Sequence, residues 1–147
     1  MFEKYGEMNH EEINQAAAGF LAEGDLDSIK GLAFENGLDP DDAEDFIRGD
    51  VPELTNARLA AYGRLRIETE EEEDGPIAVI RQMTQAMIAD DLSFAEKVTR
   101  KGKRMKEIYK RMEEEARKKK KGGSACICGT DRDLQKRIRD YYEEVAG

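Results

Sequence analysis

Apolar residues recur along this chain at intervals of three and four, the spacing that lines one face of an α-helix. The first run, Ile13, Ala16, Ala17, Phe20 and Leu21, follows Asn9 and Glu12, which stand at the positions of a capping box, and Gly24 stops it. Asp25 or Asp27 caps a second helix, with Ile29, Leu32 and Ala33 inward and Gly37 at its end. Asp39-Pro40 opens a third, because proline at the first helical position gives up an N–H that has no partner there. Ala43, Phe46 and Ile47 form its inner side, and Gly49 ends it. After Pro52, Leu54, Ala57, Ala61 and Leu65, with Tyr62 beside them, mark a fourth.

The run Glu70-Glu71-Glu72-Glu73-Asp74, followed by Gly75-Pro76, interrupts the periodicity and sets a boundary there. Beyond it, Ile77, Ile80, Thr84, Met87 and Ile88 share one helical face, and Asp90 or Asp91 caps a short helix holding Phe94, Ala95 and Val98. Gly102 separates that helix from a longer one over 103–121, whose stripe is Met105, Ile108, Tyr109, Met112 and Ala116. Gly122-Gly123 stops it, and Ser124 to Cys128 is the only strand-like stretch. Thr130 with Asp133 starts a last helix with Leu134, Ile138, Tyr141 and Val145 inward. The pattern predicts an all-α protein of seven to eight helices in two lobes, 1–74 and 75–147, with one short strand near 124–128.

Composition agrees with thin amphipathic helices. Of the 147 residues 39% are charged and 39% hydrophobic, with no tryptophan and three prolines. No apolar run approaches the eighteen or so residues of a membrane span. Met1-Phe2-Glu3-Lys4 lacks the basic and apolar regions of a secretory signal, so the expected location is the cytoplasm. The net charge of −9 is unevenly spread. Residues 1–75 hold 6 Lys or Arg against 21 Asp or Glu, while 76–147 hold 18 against 12, so an acidic lobe precedes a basic one.

Catalytic chemistry is poorly provided for. The single histidine, His10, lies among glutamates, and Ser28, Ser93 and Ser124 fall at caps or turns with no histidine to activate them. Cys126 and Cys128 are too closely spaced for a structural zinc pair, and Asp39, Asp41 and Asp45 lack the glycine and terminal glutamate of a calcium loop. The expectation is a protein with no catalytic residues, metal or cofactor.

Two surfaces are candidates for binding. Ala33, Gly37 and Ala43 occupy helix-turn-helix positions, yet the second helix would present Asp41, Asp42, Glu44 and Asp45, which phosphates repel. This acidic face either imitates nucleic acid toward a basic protein groove or is simply a solvated surface. From Lys97 to Lys121 there are thirteen Lys or Arg and four acids. Lys101, Lys103, Arg104, Lys106, Lys110 and Arg111, with Lys118 and Lys119 at the end, cover the outer side of the long helix. Such a rod either follows an RNA or DNA backbone or is a solubilising face neutralised by the first lobe. The Met105–Met112 stripe also offers a face on which a second copy could pair.

The second half carries a set of short motifs in order: Asp91-Leu92-Ser93-Phe94-Ala95-Glu96-Lys97-Val98, Lys101-Gly102-Lys103, Ala116-Arg117-Lys118, Gly122-Gly123-Ser124-Ala125-Cys126-Ile127, Asp131-Arg132-Asp133 and Tyr141-Tyr142. Their order and spacing over about half the chain resemble the PcfK-like family of mobile-element proteins, which includes anti-CRISPR inhibitors of Cas9. The resemblance implies a phage- or plasmid-borne protein of the bacterial host cytoplasm that disables Cas9, or its guide RNA complex, by binding. The alternative is a nucleic-acid-binding accessory protein of a conjugative element or phage.

Overall fold

The computed structural model describes residues 1–119 and 130–144, with the Lys119 side chain outside that description. Among the described residues the chain is all-α, with eight helices and no strand: α1 (His10–Ala22), α2 (Leu26–Glu35), α3 (Pro40–Ile47), α4 (Ala57–Glu68), α5 (Pro76–Asp90), α6 (Leu92–Val98), α7 (Met105–Lys119) and α8 (Asp131–Glu143). The expected strand, Cys126, Cys128 and Val145 lie outside the described residues.

Local chemistry sets most helix starts. Asn9 and Glu12 form a reciprocal capping box at α1, and Thr130 and Asp133 do the same at α8. Asp25, Asp39 and Asp91 each accept a backbone N–H from the first turn of α2, α3 and α6. Of the alternatives open in the sequence, Asp25 rather than Asp27 is therefore the cap, and Asp91 rather than Asp90. The fourth helix begins later than Leu54: Asn56 caps it, and Leu54 is buried ahead of it. Leu21, expected inward, is 38% exposed on the outer side of α1.

Two apolar cores form, and α4 serves both. Ala60 joins Ile13, Ala17, Ile29, Leu32, Ala43 and Phe46 in the first. Ala57, Ala61 and Leu65 join Ile80, Ile88, Phe94, Val98, Met105, Ile108 and Ile138 in the second. The second core thus begins at Ala57 and not at residue 75. The acidic run is only the connection from α4 to α5, since the small side chains of α4 let helices approach on both flanks.

One close approach locks α4 to the first core. The backbone of Gly63, inside α4, meets the turn between α2 and α3. A Cβ at Gly63 would lie 2.3 Å from the Asn36 carbonyl oxygen, and one at Gly37 2.4 Å from the Gly63 carbonyl oxygen. Gly37 also has φ +69°, which a side chain would strain.

Candidate interaction surfaces

The long helix α7 buries Met105, Ile108 and Met112 within the chain's own second core. The methionine stripe is therefore already covered, which corrects the expectation that it faces a second copy. The cations on and before this helix divide into two groups. Lys103 is buried: its Nζ donates to the Tyr141 carbonyl at 2.7 Å, lies 4.6 Å from that ring's centre and 3.8 Å from Glu144. Burial pulls its ammonium below the ordinary lysine range, with Glu144 opposing. Arg104 donates to Glu7 at 2.8 Å, Lys106 pairs with Glu72 at 3.0 Å, and Arg111 grips both oxygens of Glu144 at 3.1 and 3.0 Å.

Lys101, Lys110 and Lys118 are exposed and make no ion pair among the described residues. The six-cation outer face read from the sequence is thus reduced, because α8 and the N-terminal segment overlie the start of α7. The structure brings Lys103, Arg104, Lys106 and Arg111 into the chain's own ion pairs.

Those contacts expose a polar knot that the sequence reading missed. Arg64 on α4 is 2% exposed, and its guanidinium donates to Glu7 at 3.0 Å and to the Met8 carbonyl at 3.0 Å. The Phe2 ring lies over both Arg64 and Arg104, at 4.7 and 5.3 Å. Although burial works against it, hydrogen bonds from Arg104 and the Gly102 N–H, with the charges of Arg64 and Arg104, hold the Glu7 carboxyl below its usual range. Glu68 lies deeper. Burial pushes its carboxyl up to about 7, against the Met105 N–H that donates to it at 3.1 Å. Its other oxygen and the Tyr142 hydroxyl are both buried without a hydrogen-bond partner. A signal for this knot was present: Arg64 and Glu68 fall four apart, on the same helical face as Ala57, Ala61 and Leu65.

The acidic side is less compensated. Glu44 pairs with Lys30 at 3.5 Å, and Asp45 with Arg48 at 2.5 Å, while Arg48 also reaches Asp50 at 3.1 Å. Asp41 is exposed, its N–H capped by Asp39. Partial burial, then the charges of Asp39, Asp45 and Asp41, push the Asp42 carboxyl above its usual range. Glu70, Glu71, Glu73 and Asp74 are exposed and form no ion pair among the described residues. Between this acidic connection and α3 opens a cleft of about 860 Å³, floored by Leu59 and Tyr62 of α4.

Other candidate chemistry is dispersed. His10 lies 4.0 Å from Glu11 at the start of α1, and the Ser28 hydroxyl is bonded to Asp25 at 2.6 Å within the α2 cap. Among the described residues no three metal-ligating side chains gather, and no helix is long and apolar enough to cross a membrane. Comparison of the chain with protein-family models, with curated proteins and with solved structures returned no match.

Proposed function

We propose that this chain is a non-catalytic inhibitor that binds a type II CRISPR nuclease, Cas9 or its guide RNA complex, and presents the acidic first half to a cationic surface of that partner. The observation that carries the reading is the unequal fate of the two charge sets. Lys103, Arg104, Lys106 and Arg111 pair with the chain's own carboxylates and carbonyls, leaving Lys101, Lys110 and Lys118 exposed and dispersed. Asp41 and the 70–74 run, apart from Glu72, instead face solvent with no ion pair among the described residues, beside Glu44 and Asp45, which pair with Lys30 and Arg48. Cas9 holds its heteroduplex in a positively charged channel and reads the adjacent motif with arginines, so a sorted acidic surface is complementary to it.

The family resemblance supplies the type of partner, and its residues supply a scaffold. Phe94 packs edge-on against Tyr142 at 5.7 Å, Asp91 bonds Arg139 at 3.2 Å, and Lys103 bonds Tyr141. Apart from Arg139, these positions lie in motifs set far apart in the chain, and their mutual packing is a physical reason for such motifs to occur together. Phe94, Tyr141 and Tyr142 belong to the second core, which leaves recognition to the surfaces around it.

Size-exclusion chromatography with Cas9–guide RNA and a DNA-cleavage assay test the reading. Co-elution with suppressed cleavage supports it; normal cleavage at excess protein across several Cas9 orthologues removes it. The rival, a nucleic-acid accessory protein acting through Lys101, Lys110 and Lys118, predicts a mobility shift of free RNA or DNA with a steep salt dependence.

A further inference from the structure

The 860 Å³ cleft lies where α3, the end of α4, the acidic connection and the flank of α5 meet. Asp39 and Asp42 line one wall, and Glu70, Glu72 and Glu73 the other. Its two cations are already engaged. Arg66 donates to the Gly37 carbonyl at 2.8 Å, and Arg81 donates to the Glu72 carbonyl at 2.7 Å and to the Thr69 hydroxyl at 3.1 Å. These arginines brace the walls through neutral oxygens, and the lining sets five carboxylates against these two guanidinium groups. Lys106 takes one oxygen of Glu72, and the other is buried with no hydrogen-bond partner.

The floor narrows the choice of occupant. Leu59 is 39% exposed and Tyr62 is half-buried beside it, so the cleft offers an apolar and aromatic base beneath two acidic walls. A compact metal ion needs converging ligands, and no three such side chains gather among the described residues. A guanidinium fits better: its plane stacks on an aromatic face while its fork of donors reaches separated carboxylates. The volume accommodates a few side chains of a peptide segment.

We propose that this cleft seats an arginine-bearing basic segment of the protein partner, with a guanidinium over Tyr62 between Asp42 and Glu73. The identity of that partner rests on the inhibitor reading; the chemistry of the cleft does not. The test is a titration of isotopically labelled protein with a glycine-flanked tetra-arginine peptide, followed by NMR, with a citrulline peptide of equal length as the neutral control. Saturable shifts centred on Leu59, Tyr62 and Thr69, absent with citrulline, are expected. The folded double variant Asp42→Asn, Glu73→Gln should bind the arginine peptide about tenfold more weakly, from the loss of two partly exposed charge contacts.

Shifts spread over α1 to α3 without saturation at the cleft, or equal binding by the double variant, would overturn the inference. The cleavage assay separates the two proposals. A double variant that inhibits Cas9 as well as the parent removes the cleft as the contact and leaves the inhibitor reading standing. A parent protein that fails to inhibit removes that reading, and the peptide titration still judges the cleft.

Discussion

The Glu7 carboxylate accepts a hydrogen bond from the Arg104 guanidinium at 2.8 Å, joining the N-terminal segment to the start of α7 across 97 positions of chain. The same oxygen accepts from Arg64, which is buried in α4. Glu7→Ala would leave Arg64 buried without its carboxylate, and breaking such a pair costs about 3–5 kcal/mol. Denaturant unfolding should show a loss of that size, with Glu7→Gln less damaging because its amide oxygen still accepts a hydrogen bond.

Glu7, half-buried, and Glu68, buried, have opposite pH signatures. Glu7 titrates lower in the folded chain than its ordinary 4.5, so its contribution is full above that value and is lost as pH falls through the folded pKa. Glu68 titrates at about 7, so the folded state holds its proton more tightly than the unfolded chain does. Its contribution is full below about 4.5 and is lost as pH rises through about 7. Glu68→Gln should therefore flatten stability between those values. At pH 8 it should raise stability by about 1–3 kcal/mol, the order set by a shift of this size.

Gly63 sits inside a helix, where alanine is ordinarily favoured by about 1 kcal/mol. The Asn36 carbonyl oxygen, 2.3 Å from any Cβ there, reverses the sign. Gly63→Ala should destabilise by about 1–3 kcal/mol, as overpacking does, in a thermal melt.

Phe34 is 85% exposed on α2, whereas Phe94 is fully buried against Tyr142. Phe34→Ser should change unfolding free energy by no more than about 0.5 kcal/mol, and Phe94→Ala should cost about 3–5 kcal/mol. Parallel urea titrations check both.

Helix existence and most starts were legible in the sequence because they depend on neighbours within four residues: Asn9 with Glu12, Asp39 with Pro40, Thr130 with Asp133. The inward sets of α2, α3 and α6 follow the same local rule. What escaped was non-local. A helical wheel puts Arg104 and Lys106 outside, and only the return of the N-terminal segment and the acidic connection brings Glu7 and Glu72 onto them. The expected lobe boundary rests on a local signal of the same kind. A charge run marks a loop, but α4 before it has small residues on two faces and so belongs to both cores. Of the candidate surfaces, Asp41, Asp42, Glu44 and Asp45 all lie on α3, while the basic set is divided between the chain's own ion pairs and solvent.

The most direct test of the central claim is Cas9 cleavage in the presence of two folded charge-reversal variants. One carries Asp41→Lys, Asp42→Lys, Glu44→Lys and Asp45→Lys; the other carries Lys101→Glu, Lys110→Glu and Lys118→Glu. Recognition through the acidic half predicts that the first loses inhibition and the second keeps it. Retained inhibition by the first variant, with loss by the second, would contradict the account.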